Sequence, residues 1–447
     1  IPVFSILIYG CKKDWLEAKP NTSLVVPETV KDYQALLDNN DIFNTNEPSL
    51  GLIAGDQFNL TSSTWQSVSL QTFKYAFIWA DDTYNGEEGN SGWQRSYSKI
   101  LYANIVLEGI RKLADRSATT EALNNVKGSA LFFRAYEFYN LSQLFCKTYN
   151  PSTAGSDLGL PLRLSPDINI PSVRSSLQQT YDQIILDLEA AGDLLPVSPV
   201  ISTRPSKQAA KALLARIYLS MERYPEALEL ADEALGISNE LTDFRNLNSG
   251  SSLPFPNVQA GNKEVIFYAQ MQGNSMFRSP RLIVDSGLYA MYDSNDLRKA
   301  IFFSGSGSTK NFKGYYTGST NHFAGLAVDE MYLIRAECSA RAGNINAAMQ
   351  DLNFLLQSRY DSSFVPLTAA TPEDALALVL KERKKELLFR GIRWSDLRRL
   401  NKDDRFKETL HRAINNENYF LLPGDPRYTF LIPPEIIRLG DLEQNPR

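Results

Sequence analysis

Eight residues have the types and settings needed to hold a flat, hydroxyl-rich ligand: Trp65, Trp79, Tyr84, Asn85, Tyr289, Tyr292, Tyr315 and Tyr316. Sugar rings present apolar C–H faces. Flat aromatic side chains can cover those faces while polar neighbours take the hydroxyls. Trp65 stands in a Ser/Thr-rich segment, residues 60–72. Trp79, Tyr84 and Asn85 belong to a polar stretch, 79–93, with turn chemistry at Asn85-Gly86. Tyr315 and Tyr316 fall in the Gly-rich segment 304–321, and Tyr289 and Tyr292 on a short predicted helix beside it. Trp93 and Trp394 instead occupy amphipathic helical faces and read as core.

Other chemistry finds few groups. The chain has no G-x-S-x-G, no H-E-x-x-H, no P-loop and no G-x-G-x-x-G before a helix. Its two histidines, His322 and His411, are far apart, which excludes a His-rich metal site and starves imidazole acid–base catalysis of candidates. The pairs Asp81-Asp82 and Glu87-Glu88 are expected by number alone among 51 acidic residues. Asp81-x-Thr83-x-Asn85-Gly86-Glu87 partly imitates a calcium loop, but Gly92 stands where a bidentate acid would close it. No cofactor is expected, and calcium is the one metal whose ligand pattern is even partly present. A binding protein rather than an enzyme is the expectation.

The 447 residues are 43% hydrophobic and 22% charged, the balance of a folded chain with a large core. Net charge is 46 − 51 = −5, which argues against a nucleic-acid or anionic-membrane binder. Nowhere do 18 apolar residues run together, so no spanning helix is expected. Cys146 and Cys338 lie in apolar helical patterns and read as buried thiols. Cys11 follows Ile6-Leu7-Ile8-Tyr9-Gly10, a short apolar run ending in a small residue. That resembles a lipoprotein cleavage site with Cys11 as the lipidated residue.

The elements that must position these residues are mostly helical. Thr29 to Leu37 reads as a short helix and 48–56 as a loop. Trp93, Tyr97, Ile100, Leu101 and Ile105 recur at helical steps, and a second helix runs from Glu121 to about Tyr149. Ala215, Tyr218, Ala227, Ala231 and Ala234 fill the slots of a tetratricopeptide-like helix pair, and Ala336, Ala348 and Leu352 those of another. Between them lies an insertion, about 241–328, rich in Gly, Ser, Asn and aromatics, with a short strand at 264–269. Farther on, Thr371-Pro372-Glu373-Asp374 opens a helix with a capping box. Leu376, Leu380, Leu387 and Leu388 form its apolar stripe. Lys381, Arg383, Lys384 and Lys385 form its expected wet side, and Gly391 its stop. Trp394, Leu397 and Leu400 begin the next helix.

The stretch from Lys381 to Leu400 resembles the C-terminal signature of the SusD/RagB family, ER-x-x-EL-x-F-E-G-x-RW-x-DL-x-R. Glu382-Arg383, Glu386-Leu387, Phe389, Gly391, Arg393-Trp394, Asp396-Leu397 and Arg399 match it. Arg390 stands where the family usually has Glu, which puts one local ion pair in doubt. Trp93 to Asn104, Lys127-Gly128-x-Ala130-x-x-x-Arg134-Ala135-Tyr136, Pro433-Pro434-Glu435-Ile436 and Gln444-Asn445-Pro446 resemble further family words. The resemblance implies a mostly α fold: a tetratricopeptide-like scaffold in one SusD-like domain, 21–447, with repeats at about 93–240 and 326–400. Residues 1–20 are then a signal remnant and lipid-anchor tether. The resemblance further implies a surface lipoprotein of the outer membrane that captures a glycan for a SusC-like TonB-dependent transporter. The alternative it leaves open is a peptide-binding or purely scaffolding lipoprotein.

Overall fold

The computed structural model describes residues 27–114, 121–258 and 260–447. Cys11 and the expected tether lie outside the described residues. Among those described are seventeen α-helices and ten short strands, the latter paired two by two. The mostly α class expected from the sequence is what is observed.

The helices form a succession of neighbours. Ser91–Ala114 packs on Glu121–Phe145, which packs on Leu177–Leu194, and so on through Lys207–Ser220 to Tyr224–Ile237. The next neighbour skips the insertion. Tyr224–Ile237 packs on Val328–Arg341, which in turn meets Ile345–Gln357 and Pro372–Glu386. Ala215, Ala227, Ala231, Ala234, Ala336 and Ala348 are all fully buried at these crossings. Small side chains there let helix axes approach, which is why these slots carry alanine. Local caps fix where helices start. The side chains of Thr29, Ser176 and Thr371 each bond the backbone N–H three residues on, in capping boxes.

One local reading needs correction. Residues 48–56 hold a buried helix, Leu50–Ala54, rather than a loop. It is too short to announce itself by periodicity, and it forms because it packs on Ile392–Leu400. A Cβ on Gly51 would come within 3.1 Å of Trp394 Cβ. The Ser/Thr-rich segment, given no element from the sequence, contains a helix, Ser62–Gln66, capped by the Thr61 hydroxyl.

The larger correction concerns Pro372–Glu386. Its basic side was expected to face water. Lys381 is exposed and Lys384 partly so, but Arg383 and Lys385 are buried. They are spent in a lattice of charges under the insertion. Arg298 bonds Asp296 at 2.7 Å, Glu382 at 2.6 Å and Glu386 at 2.8 Å. Arg359 bonds Glu386 at 2.6 Å and Glu264 at 3.0 Å. Lys385 reaches Asp296 at 2.9 Å and Glu382 at 2.8 Å. Arg390 does make an ion pair, with Asp329 at 2.7 Å, and stacks 3.7 Å over the Tyr316 ring. An adjoining set joins Arg399 to Glu337 and Asp396, and Arg383 to Asp396. Burial pushes the Glu337 carboxyl up, yet the Arg399 and Arg341 guanidinium groups hold it down at about 2.

The link out of this helix is a tight reversal. Phe389 and Gly391 are both left-handed, with φ of 57° and 74°. Gly391 also lies against Met271, whose Cε would be 2.3 Å from a Cβ placed there. Gly391→Ala is therefore expected to destabilise the chain by about 2 kcal/mol or more, from left-handed strain plus overpacking; a denaturant midpoint within error of the parent would contradict this. Arg359→Ala leaves Glu264 buried without its cation and Glu386 with Arg298 alone. It should cost roughly 3–5 kcal/mol by the same measurement.

Candidate functional site

The insertion lays a cleft of about 840 Å³ over the scaffold. Its aromatic wall is Phe277, Phe312 and Tyr315, and His322 lies among them. The imidazole is 4.8 Å from Phe277, 5.2 Å from Tyr315 and 6.0 Å from Phe312, centre to centre. Phe389, from the family signature, backs the group at 4.6 Å from Phe312 and 5.6 Å from His322. The strained reversal before Gly391 thus supports the cleft directly.

Short-range bonds hold the rim. Phe303–Ser304 pairs with Asn311–Phe312 in a hairpin whose loop turns at Gly305 and Gly307, both with positive φ. Asn311 Nδ2 donates to the Leu282 carbonyl at 2.6 Å. Lys313 Nζ donates to the carbonyls of Ser249 and Ser251, tying the 248–252 turn to the hairpin strand. Thr317 Oγ1 donates to the Asn321 carbonyl at 2.7 Å and closes the turn that leads to His322.

Two polar groups on the lining have no partner of their own. Asn274 Oδ1 accepts the Met276 N–H, leaving Nδ2 unpaired, and His322 Nε2 is also unpaired. Buried polar atoms are usually bonded; both of these are out of reach of solvent as the side chains stand, so a ligand hydroxyl would meet them after a side-chain turn toward the cleft. Asn321, Thr320 and several serines complete the polar side. Apolar walls with a few placed polar groups suit a saccharide.

Of the eight residues expected at the site, Tyr315 alone lines this cleft. Its neighbour Tyr316 points the other way, donating to Glu264 Oε2 at 2.8 Å in the charge lattice. Three more were expected on display and are instead interior. Trp79 Nε1 donates to the Ala54 carbonyl at 2.8 Å, Tyr84 Oη to that of Leu431 at 3.0 Å, and Tyr292 Oη to that of Lys385 at 2.7 Å. Burial of an aromatic with a polar tip requires such a partner, and each ring serves the framework. Trp79 shows an edge to a separate cleft of about 430 Å³ beside His411 and Asp56. Trp65 is buried under Lys74, whose Nζ lies 4.6 Å from the ring centre. Asn85 is an exposed turn residue with φ of 44°. Tyr289 is half-buried between Lys299 and Lys310. Glu87 of the calcium-like stretch caps the helix Gln71–Phe77, bonding the N–H groups of Gln71 and Thr72. No cluster of three or more His, Cys, Asp or Glu able to hold a metal occurs among the described residues.

Phe277, Asn274 and the structural setting of His322 escaped the sequence reading. The available signal was the pairing of asparagine with an aromatic in Asn274-Ser275-Met276-Phe277, inside a loop-rich segment.

Two sequence profiles of one family match the chain. Residues 14–219 match one described as starch-binding and associating with the outer membrane, and 309–427 match the SusD family profile. This chain belongs to the SusD/RagB family. A SusD-like protein, P2, of Formosa agariphila is 25% identical over 79% of each chain. A SusD superfamily protein of Bacteroides thetaiotaomicron superposes with a TM-score of 0.74 at 20% identity, covering 94% of this chain and all of that one. A putative sugar binding protein of Bacteroides vulgatus gives 0.73 at 21% identity, covering 95% and 99%. These solved structures establish that the SusD-like fold seen here is the family's own.

Burial pushes the His322 imidazole down to about 3 from 6.5. Between those values the unfolded chain binds a proton that the native chain refuses. The stability contributed by neutral His322 is therefore complete above pH 6.5 and is lost as pH falls toward 3. Denaturant midpoints measured from pH 7 down to about 4 should fall in the parent chain and fall less steeply in His322→Asn. Parallel curves would show that His322 does not titrate this way.

Proposed function

We propose that this SusD/RagB chain captures a glycan at the bacterial surface and passes it to a SusC-like TonB-dependent transporter. The observation that carries the reading is the cleft itself: three aromatic rings beside a rim of amides and hydroxyls. Family membership supports the setting. The profile over the N-terminal half is described as associating with the outer membrane, and no helix among the described residues is long and apolar enough to cross one. Anchoring would come through a lipid on Cys11. The starch-binding description of the profile over residues 14–219, and the sugar-binding description of the Bacteroides vulgatus neighbour, support capture rather than catalysis.

The mechanism is recognition. Tyr315, Phe312 and Phe277 cover the apolar faces of successive sugar units, while Asn274 and His322 bond hydroxyls. The rings are held by Phe389 and by the hairpin, so little order is lost on binding. The helical repeats offer the broad face on which such a protein would sit against a transporter.

Calorimetry or affinity electrophoresis against a polysaccharide panel tests this, with Tyr315→Ala and Tyr289→Ala alongside. Binding to a polymer should weaken about tenfold in Tyr315→Ala, the scale of one lost ring contact, and persist in Tyr289→Ala. Binding of peptides with no polysaccharide retained would overturn the glycan reading in favour of peptide capture.

A further inference from the structure

The chain is acidic overall, at −5, yet none of the residues lining the cleft is Asp or Glu. Two are cations, Arg278 and Lys313. The segments that build it share this bias. From Phe244 to Val284 and from Leu297 to Val328 the chain carries a single carboxylate, Glu264, and that one is buried in the charge lattice facing Arg359. The same segments carry Arg245, Lys263, Arg278, Arg281, Lys299, Lys310 and Lys313 besides the buried Arg298.

The two lining cations are also uncompensated. Arg278 is exposed and its guanidinium has no hydrogen-bond or ion-pair partner among the described residues. Lys313 is only 9% exposed, and its ammonium meets two backbone carbonyls but no carboxylate. Five other buried cations, Arg298, Arg359, Lys385, Arg390 and Arg399, each face carboxylates, whereas Arg398 and Arg412 are held by backbone carbonyls alone, as Lys313 is. A buried ammonium without a counter-charge is costly, and burial accordingly lowers the Lys313 pKa. An anionic ligand group entering the cleft would supply that missing charge. Arg278 could meet it with a forked pair of N–H donors, the geometry that suits carboxylate and sulfate oxygens.

Building on the glycan reading, we infer that the cleft selects an acidic saccharide, one bearing a carboxylate or a sulfate ester, with Arg278 and Lys313 as its anion contacts and Tyr315, Phe312 and Phe277 as its ring contacts. Asn274 and neutral His322 add hydrogen bonds without adding charge. The selectivity is as much exclusion of carboxylates from the lining as placement of cations, since one carboxylate there would repel the ligand's own.

Matched polymer pairs test this on the whole chain by affinity electrophoresis and calorimetry: polygalacturonate against its methyl ester, and dextran sulfate against dextran. The charged member of at least one pair should bind roughly tenfold or more tightly than its neutral partner, and the preference should shrink as salt rises. Which pair responds separates carboxylate from sulfate ester. Arg278→Gln should remove most of the preference with an unchanged melting temperature. Arg95→Gln, an exposed cation outside the cleft, should leave it intact, which separates the cleft from general ion exchange. Lys313→Met should weaken the charged polymer selectively if the variant remains folded; Arg278→Gln carries the test if it does not. Equal affinity for charged and neutral members, or a preference untouched in Arg278→Gln, would overturn the inference while leaving glycan capture standing. Retention of poly-glutamate with no polysaccharide bound would overturn the saccharide class itself, and the glycan reading with it.

Discussion

Ion pairing out of reach of water is the constraint on which the rest of this molecule depends. Arg298, Arg359, Lys385 and Arg390 are drawn from different parts of the chain, and they meet five carboxylates: Glu264, Asp296, Asp329, Glu382 and Glu386. Each of these charges is costly to bury alone, and each becomes tolerable only in its final geometry. Burial pushes the Glu264 carboxyl up to about 7 against the pull of Arg359, with Asp329 and Glu386 adding to the push. A second buried set follows the same logic with one cation for two acids. Lys99 pairs with both Glu47 and Glu137, and Glu47 is pushed well up, by burial first and by Glu137 second.

The lattice gives the loop-rich insertion a fixed seat. Glu264 precedes the insertion's strand Val265–Phe267, Asp296 and Arg298 lie within the insertion, and Tyr316 hangs from its Gly-rich segment. Their partners include Glu382, Lys385 and Glu386 on Pro372–Glu386, Asp329 on Val328–Arg341 and Arg359 in the turn after Ile345–Gln357, so a long irregular segment is pinned at several points. Such loops are where binding surfaces are usually built, because a rigid scaffold can present them. Tyr315 and Tyr316 show how the two roles divide. Tyr316 is anchored in the lattice while its neighbour Tyr315 lines the cleft.

The signature stretch connects scaffold to site in the same way. Glu382, Arg383, Lys385 and Glu386 face the buried charges. Phe389 turns out of the helix into the aromatic group around His322, and Gly391 permits the reversal against Met271. One short segment therefore closes the core, seats the insertion and backs the cleft.

By itself the sequence determined the helical scaffold. Capping boxes at Thr29 and Thr371, buried alanines at the repeat crossings and the break at Gly391 are local signals, written within a few residues of the structure they produce. Even the core roles of Trp93 and Trp394 were legible from helical spacing. What only the tertiary structure decided is which polar and aromatic groups face inward. Lys385 and Arg383 read as a wet face because Asp296 and Asp396, which draw them inward, lie outside their own helix; the Glu382 beside Lys385 could equally have paired with it in water. Trp79, Tyr84 and Tyr292 read as displayed rings because the carbonyls that take their donors, at Ala54, Leu431 and Lys385, are 25, 347 and 93 residues away. The acid-free lining of the cleft belongs to the same class. It is assembled from segments near 250, 275, 304 and 320, and none of them shows alone that its side chains share one wall. Periodicity reports the face of a single helix, whereas the burial of a charge or a polar ring is decided by a partner that only folding brings within bonding distance.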